Sequence, residues 1–127
     1  MRVCGIDPGA NGAICVLDSH DPAHVALLDL GKVPIYTAVK WLHWYDVKTV
    51  WLEDVHSLHG MSAKSNFGFG RNLGIAVAIS QIATQGEMAK LVTPKIWQKY
   101  IGVTVKGSKA IKKQVAEIAI SLYPTAI

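Results

Sequence analysis

The 127-residue sequence has only two cysteines, no apolar run long enough to cross a membrane, and few acidic residues in its second half. A membrane-spanning helix needs about 20 consecutive apolar residues, so the sequence predicts no span. Met1 leads directly into a strand pattern, and no cleavable signal is expected there. Without such a signal, we interpret Cys4 and Cys15, which could face each other across a hairpin, as small reduced core residues. Neither has the spacing of a zinc site.

Charge is distributed unevenly along the chain. Residues 1–60 contain four basic and seven acidic side chains, a net charge of −3, whereas residues 61–127 contain nine basic and two acidic ones, a net charge of +7. The stretch 90–113 holds seven lysines and no acid. An acidic half beside a basic half suits an enzyme that holds metal ions next to a polyanion. A solvated basic surface has the same composition, so charge alone leaves both interpretations open.

The hydrophobic pattern predicts one domain over residues 1–127, because half of the residues are apolar and 17% are charged. Three antiparallel strands are followed by alternating helices and strands. This order predicts an α/β fold with a mixed five-stranded sheet and helices on both faces. The predicted strands are 1–7, 12–18, 25–30, 47–53 and 88–92, and the predicted helices are 34–45, 65–85, 94–101 and 109–123.

Several helix ends carry capping signals. Pro34 suits the first turn of the first helix. Thr93 and Pro94 suit the N-cap and first position of the third helix. Ser108 is expected to cap the last helix, and Pro124 to end it. That last helix is predicted to direct its apolar residues inward, namely Ile111, Val115, Ile118, Ala119 and Leu122.

Two carboxylates end strands that can be neighbours. Asp7 ends the first strand before a Pro-Gly turn, and Glu53 ends the apolar fourth strand, which a helical crossover can place parallel to the first. Side by side, two carboxylates repel, and a divalent cation such as Mg²⁺ removes the conflict. With further acids, such a site holds two ions about 4 Å apart that hydrolyse a phosphodiester. The plainer interpretation is that Asp7 only forms a turn and Glu53 only ends a strand, both exposed to solvent.

Three motifs resemble those of RuvC-type Holliday junction resolvases, members of the ribonuclease H-like superfamily. Gly5–Gly9 (GIDPG) is similar to the opening motif of the family. Val50–Val55, followed by a linker and a helix rich in glycine and alanine, is similar to the second. Lys112–Val115 (KKQV), preceded by Gly102 and Gly107, resembles the basic segment. The resemblance covers essentially the whole chain in order, and its middle looks most like the phage-type branch.

The resemblance implies a Mg²⁺- or Mn²⁺-dependent endonuclease that binds four-way or other branched DNA as a homodimer. It implies a cytoplasmic location in a bacterium or a phage-infected cell. Asp7 and Glu53 would be metal ligands, Lys112 and Lys113 would hold phosphate near the scissile bond, and the helix 65–85 would form the dimer face. The side chains expected to bind DNA are Lys64, Arg71, Lys95, Lys99, Lys106, Lys109, Lys112 and Lys113.

One departure from the family pattern limits this expectation. The family completes its metal site with two more acids, or a histidine and an aspartate, on a final helix beyond the position of Pro124. Here no residue after Glu117 is acidic, and Glu117 itself lies too early. We therefore expect that residues 1–127 lack the C-terminal acidic helix, bind metal weakly and cleave DNA little or not at all.

Other aromatic and histidine residues allow two interpretations. Phe67 and Phe69 could wedge against exposed bases, but a core position suits them better. Trp97 lies between lysines and is the best tryptophan for base stacking, although it too suits the core. His56 and His59 could bind a metal, but the sequence around them is typical of a polar linker.

Three alternative functions remain on sequence grounds. A non-catalytic binder of branched DNA would keep the basic face but lack a complete site. Actin-like sugar kinases and chaperone ATPases also open with an aspartate beside a glycine-bearing hairpin, but they need two such domains. A related resolvase-like family acts on RNA ends, and the Asp7–Gly9 turn favours the junction resolvases over it.

Overall fold

The computed structural model describes residues 1–54 and 62–125. Within these ranges the chain forms five strands, four α-helices and a 3-10 turn (Leu30–Lys32). All predicted strands and helices are found, although each strand begins one to four residues from its predicted start. The strands are β1 (Arg2–Asp7), β2 (Ala13–Asp18), β3 (Asp21–Asp29), β4 (Thr49–Glu53) and β5 (Lys90–Val92), and the helices are α1 (Ile35–Trp44), α2 (Ala63–Ala83), α3 (Pro94–Ile101) and α4 (Ser108–Leu122).

The strands form one mixed sheet in the order β3-β2-β1-β4-β5. β1 pairs antiparallel with β2, and β2 pairs antiparallel with β3. β4 lies parallel to both β1 and β5. The predicted arrangement, antiparallel strands followed by parallel ones, is therefore confirmed.

One face of the sheet carries the hydrophobic core. Side chains alternate between faces along a strand, and the fully or nearly fully buried positions alternate accordingly. Helices α1 and α2 cover this face, and together with the sheet they form one cluster. Its buried members are Cys4, Ile6, Ile14, Val16, Ala38, Leu42, Val47, Val50, Leu52, Ala76, Ile79 and Ala83.

The opposite face carries the intervening residues of the same strands. Gly5 pairs with Cys15 on one side and with Trp51 on the other. Cys4 is fully buried on the core face, so Cys4 and Cys15 point to opposite faces. The expectation that the two cysteines could face each other is wrong, because the register pairs Cys4 with Val16. Both are free thiols.

Helices α3 and α4 contain no buried residue. Of the five residues predicted to point inward on α4, four are half-buried. Leu122 is 57% exposed, so that part of the prediction is wrong. Gly107, with a φ of 92°, is the N-cap of α4, whereas Ser108 is its first helical residue. Pro34 is likewise the N-cap of α1 rather than part of its first turn.

Helix α2 is apolar on two sides. Its inner side contributes Ala76, Ile79 and Ala83 to the core, while Phe67 is 74% exposed and Ile82 is 61% exposed on the outer side. The core position expected for Phe67 is therefore wrong. No helix in the described ranges is long and apolar enough to cross a membrane.

Candidate active site

Asp7 is held at the end of β1 by the turn that follows it. The backbone N–H of Gly9 donates a hydrogen bond of 3.0 Å to Oδ1 of Asp7. Gly12 is buried, and its N–H donates to the carbonyl of Gly9 at 2.9 Å. A methyl group on Gly12 would lie 2.0 Å from the carbonyl oxygen of Asp7. The turn therefore closes directly against the backbone of Asp7, which is the reason that it needs glycine.

Glu53 ends β4 on the same face of the sheet. The last paired residues of β1 and β4 are Ile6 and Leu52, both buried on the core face. One residue further along each strand, Asp7 lies beside Glu53. Because successive side chains of a strand point to opposite faces, both carboxylates point to the face opposite the core. The predicted proximity of the two carboxylates follows from this parallel register, because the carboxyl ends of parallel strands meet at one edge.

The electrostatics of Glu53 reflect this proximity. Burial raises the pKa of Glu53 above its ordinary value, and the charge of Asp7 raises it further, while a hydrogen bond from Trp97 opposes both. The two carboxylates are therefore close enough to repel each other. Such a donor set suits a hard divalent cation, which removes the repulsion. Within residues 1–54 and 62–125, no group of three or more histidine, cysteine or acidic residues is placed to hold a metal.

Trp97 forms a contact that the sequence did not reveal. Its indole Nε1 donates a hydrogen bond of 2.7 Å to Oε2 of Glu53, joining α3 to β4. Beside this contact lies a cleft of about 540 Å³. Trp97 was expected to stack on bases or to lie in the core, and neither role describes its bond to a carboxylate. The cleft is lined by Trp51, Val92, Ile96, Trp97, Tyr100 and Ile101.

The eight basic residues expected to bind DNA are all exposed. Two lie on α2, two on α3, one in the loop after α3 and three on α4. None forms an ion pair with an acidic residue in the described part of the chain, so their charges are available to an external anion. They are Lys64, Arg71, Lys95, Lys99, Lys106, Lys109, Lys112 and Lys113.

Gln114, the third residue of the KKQV motif, fixes the loop before α4. Its Oε1 accepts hydrogen bonds from the N–H groups of Thr104 and Val105, at 2.9 and 3.3 Å. Its Nε2 donates to the hydroxyl of Thr104 at 3.0 Å. The loop that carries Lys106 is thereby tied to α4, the helix that carries Lys109, Lys112 and Lys113. His56 and His59 lie outside the described residues.

Sequence comparison finds no protein-family model and no curated protein that matches this chain. Solved structures do match. Thermus thermophilus RuvC in complex with a Holliday junction substrate gives a TM-score of 0.68 at 16% identity, over 98% of this chain and 80% of that one. A second Thermus thermophilus RuvC structure gives 0.62 at 17% identity, over 98% and 81%. The complex of Fowlpox virus resolvase with Holliday junction DNA gives 0.50 at 17% identity, over 97% and 78%.

At these identities the likeness establishes the fold, and a fold by itself does not establish an activity. The five-stranded mixed sheet, its strand directions and its flanking helices extend over nearly the whole chain in the match to RuvC. The fold expected from the three motifs is confirmed: this chain has the ribonuclease H-like fold of the Holliday junction resolvases.

Proposed function

We propose that this chain is a metal-dependent, structure-selective nuclease domain that binds four-way or other branched DNA. The observation that carries the proposal is the pair Asp7 and Glu53, on one face at the ends of adjacent parallel strands, in a fold shared with junction resolvases. The substrates named for two of these neighbours are Holliday junctions, and the proposal extends that substrate class to this chain.

In this proposal the two carboxylates hold Mg²⁺ or Mn²⁺. When bound, such an ion would supply Lewis-acid activation of water and neutralise charge at the phosphodiester. The chain itself orients the two carboxylates, because the backbone N–H of Gly9 donates to Asp7 and the indole N–H of Trp97 donates to Glu53. Lys112 and Lys113 are proposed to hold the phosphate next to the scissile bond.

The other exposed cations of this set, on α2, α3, α4 and the loop that carries Lys106, are proposed to contact the DNA backbone. Phosphate contacts of this kind release counterions. The logarithm of the association constant therefore falls linearly with the logarithm of the salt concentration, with a slope of about −0.9 for each phosphate neutralised. Replacing both Lys112 and Lys113 by alanine is therefore expected to make this slope about 2 shallower. The matched control replaces Lys40 on α1 and Lys48 just before β4, and it is expected to leave the slope unchanged.

Homodimerisation is proposed through the outer face of α2. Phe67, Gly70, Gly74, Ala78 and Ile82 recur at helical spacing and are exposed or half-exposed. A Cβ added to either glycine would meet no atom within 4 Å. Small residues between two exposed apolar side chains let a second helix approach closely.

A second candidate function is binding of branched DNA without cleavage. The observation in its favour is that, among the described residues, no third acid, histidine or cysteine joins Asp7 and Glu53 in a metal-binding group. Two carboxylates are few for a pair of ions, so we expect residues 1–127 to bind metal weakly and to nick DNA slowly or not at all.

The test compares a four-way junction with a linear duplex of the same sequence. Binding is measured in EDTA across a salt series, and nicking is then measured in Mg²⁺ and in Mn²⁺. We expect tighter binding of the junction, and loss of any nicking in Asp7→Asn and Glu53→Gln. Equal affinity for junction and duplex would overturn the proposal. Nicking that survives both substitutions would overturn the assignment of the site, and rapid nicking by residues 1–127 would overturn the expectation of slow cleavage.

A further inference from the structure

The hydrogen bond between Trp97 and Glu53 joins residues 44 positions apart. Both side chains are half-buried, and the donor–acceptor distance of 2.7 Å lies at the short end of the ordinary range for an N–H donor to oxygen. An indole has one donor and no acceptor, so its only polar contact is the one made by Nε1. Here that single donor faces a carboxylate that the proposed function uses.

The backbone around this contact makes Trp97 a fixed partner. Glu53 pairs with Val92 in the β4–β5 ladder, and the N–H of Asp54 donates to the carbonyl of Val92 at 2.8 Å. Helix α3 begins two residues later, with Thr93 as its N-cap. The backbone N–H of Trp97 donates to the backbone carbonyl of Thr93 at 3.2 Å, within the first turn of α3. The position of the indole is therefore set by the same ladder that sets the position of Glu53.

We propose that Trp97 is a positioning residue for the metal site, holding Oε2 of Glu53 so that Oε1 is the oxygen offered to a divalent cation shared with Asp7. This inference rests on the proposed function, because it assumes that Asp7 and Glu53 bind a cation. Partners of this kind, which hold a ligand rather than the metal, commonly change metal affinity by about 10- to 100-fold.

The same contact bears on which cation is selected. Mg²⁺ requires near-octahedral geometry with few protein ligands, whereas Ca²⁺ takes more oxygens and accepts both oxygens of one carboxylate. A carboxylate with one oxygen already hydrogen-bonded is better suited to ligation through the other oxygen alone. Trp97 therefore favours the smaller octahedral ions over Ca²⁺.

The test measures metal binding without any reaction. Free Mn²⁺ is followed by electron paramagnetic resonance as the ion is titrated into the native chain and into Trp97→Phe, which keeps an aromatic ring but removes the N–H. We expect about 10-fold weaker Mn²⁺ binding in Trp97→Phe and a smaller preference for Mn²⁺ over Ca²⁺ in competition. The matched control is Trp51→Phe, a residue of the same cleft, which should leave both quantities unchanged.

The outcomes separate this inference from the proposed function. If Glu53→Gln weakens Mn²⁺ binding but Trp97→Phe behaves like the native chain, the positioning role is wrong and the metal site stands. If Asp7→Asn, Glu53→Gln and the native chain bind Mn²⁺ equally, the metal site itself is wrong. Should Trp97→Phe fail to fold, the Trp97 indole N–H resonance of the native chain gives the answer. The chemical shift of this resonance should change on addition of Mg²⁺ and in Glu53→Gln. An unchanged chemical shift in both cases would overturn the inference.

Discussion

Replacing Gly12 by alanine tests how tightly the turn is closed against Asp7. The added methyl group would lie 2.0 Å from the carbonyl oxygen of Asp7 and 2.8 Å from that of Gly9. Contacts below 3.0 Å essentially never occur for a real Cβ, so the turn must move by about 1 Å. The obstacle is purely steric, since the φ of Gly12 is not in the left-handed region.

The expected loss of stability combines two effects. Forcing a methyl group into a closed site costs about 1–3 kcal/mol. Moving the turn also weakens two hydrogen bonds of 2.9 Å, one from the N–H of Gly12 to Gly9 and one from Leu30 to the carbonyl of Gly12. Leaving a buried backbone group unpaired costs about 1–3 kcal/mol more. We therefore expect Gly12→Ala to lose about 2–6 kcal/mol, a large part of the roughly 5–15 kcal/mol typical of a domain.

The measurement is urea unfolding of both proteins in EDTA, with Gly5→Ala as the matched control. Gly5 lies on β1, where an added Cβ would meet nothing within 4 Å. Alanine is there expected to be neutral or to stabilise by up to about 1 kcal/mol, because glycine in a strand is entropically unfavourable. A loss below about 1 kcal/mol in Gly12→Ala would show that the turn is not closed as described.

Three further predictions concern the core, the site and the outer face of α2. Burial, with a smaller contribution from Cys15, raises the pKa of Cys4 to about 12, so the native state keeps a proton that the unfolded chain loses above pH 9. Stability should then fall between pH 9 and 12, by up to about 1.4 kcal/mol per pH unit, and Cys4→Ala should flatten this fall more than Cys15→Ala. Burial and the neighbouring charge of Asp7 raise the pKa of Glu53, so without metal the ionisation of Glu53 destabilises the folded chain relative to the unfolded one. Glu53→Gln should therefore stabilise the chain at pH 7, by less than about 1 kcal/mol because the side chain is half-exposed. This gain in stability should vanish below pH 4.5, where the native carboxyl is protonated as well. A lower melting temperature of Glu53→Gln at pH 7 would contradict this. Finally, Ile82→Glu should shift sedimentation toward the monomer, whereas Tyr36→Glu on α1 should not, and an unchanged mass for Ile82→Glu would exclude α2 as the dimer face.

Much of the fold could be predicted because its signals are local. The hairpin of β1 and β2 follows from two apolar runs around a turn of proline and glycine. The adjacency of Asp7 and Glu53 follows from one further rule, that a helical crossover brings the next strand in parallel. Each carboxylate ends its strand, so both reach the same edge of the sheet without any knowledge of side-chain contacts.

The missed features depend on contacts between distant parts of the chain. Helix α2 is apolar on both sides, so its sequence did not indicate that Phe67 faces outward. The positions of Cys4 and Cys15 depend on the pairing register, which the turn length sets. The bond from Trp97 to Glu53 depends on where α3 begins relative to the β4–β5 ladder. None of these contacts has a periodic signature that a single sequence can display.

The two edges of the sheet differ in the risk that they pose for aggregation. β5 contains only three residues, and the ammonium of Lys90 lies 5.3 Å above the ring of Trp51, so this edge offers little template for another strand. β3 is nine residues long and pairs with no strand on its outer side within the described residues. Aspartates stand at both of its ends, and the hydroxyl of Thr125 donates to the carbonyl of Ala23 at 3.4 Å. Terminal charges and a contact of this kind oppose strand addition at the longer edge, whereas at the shorter edge the length of β5 is itself the protection.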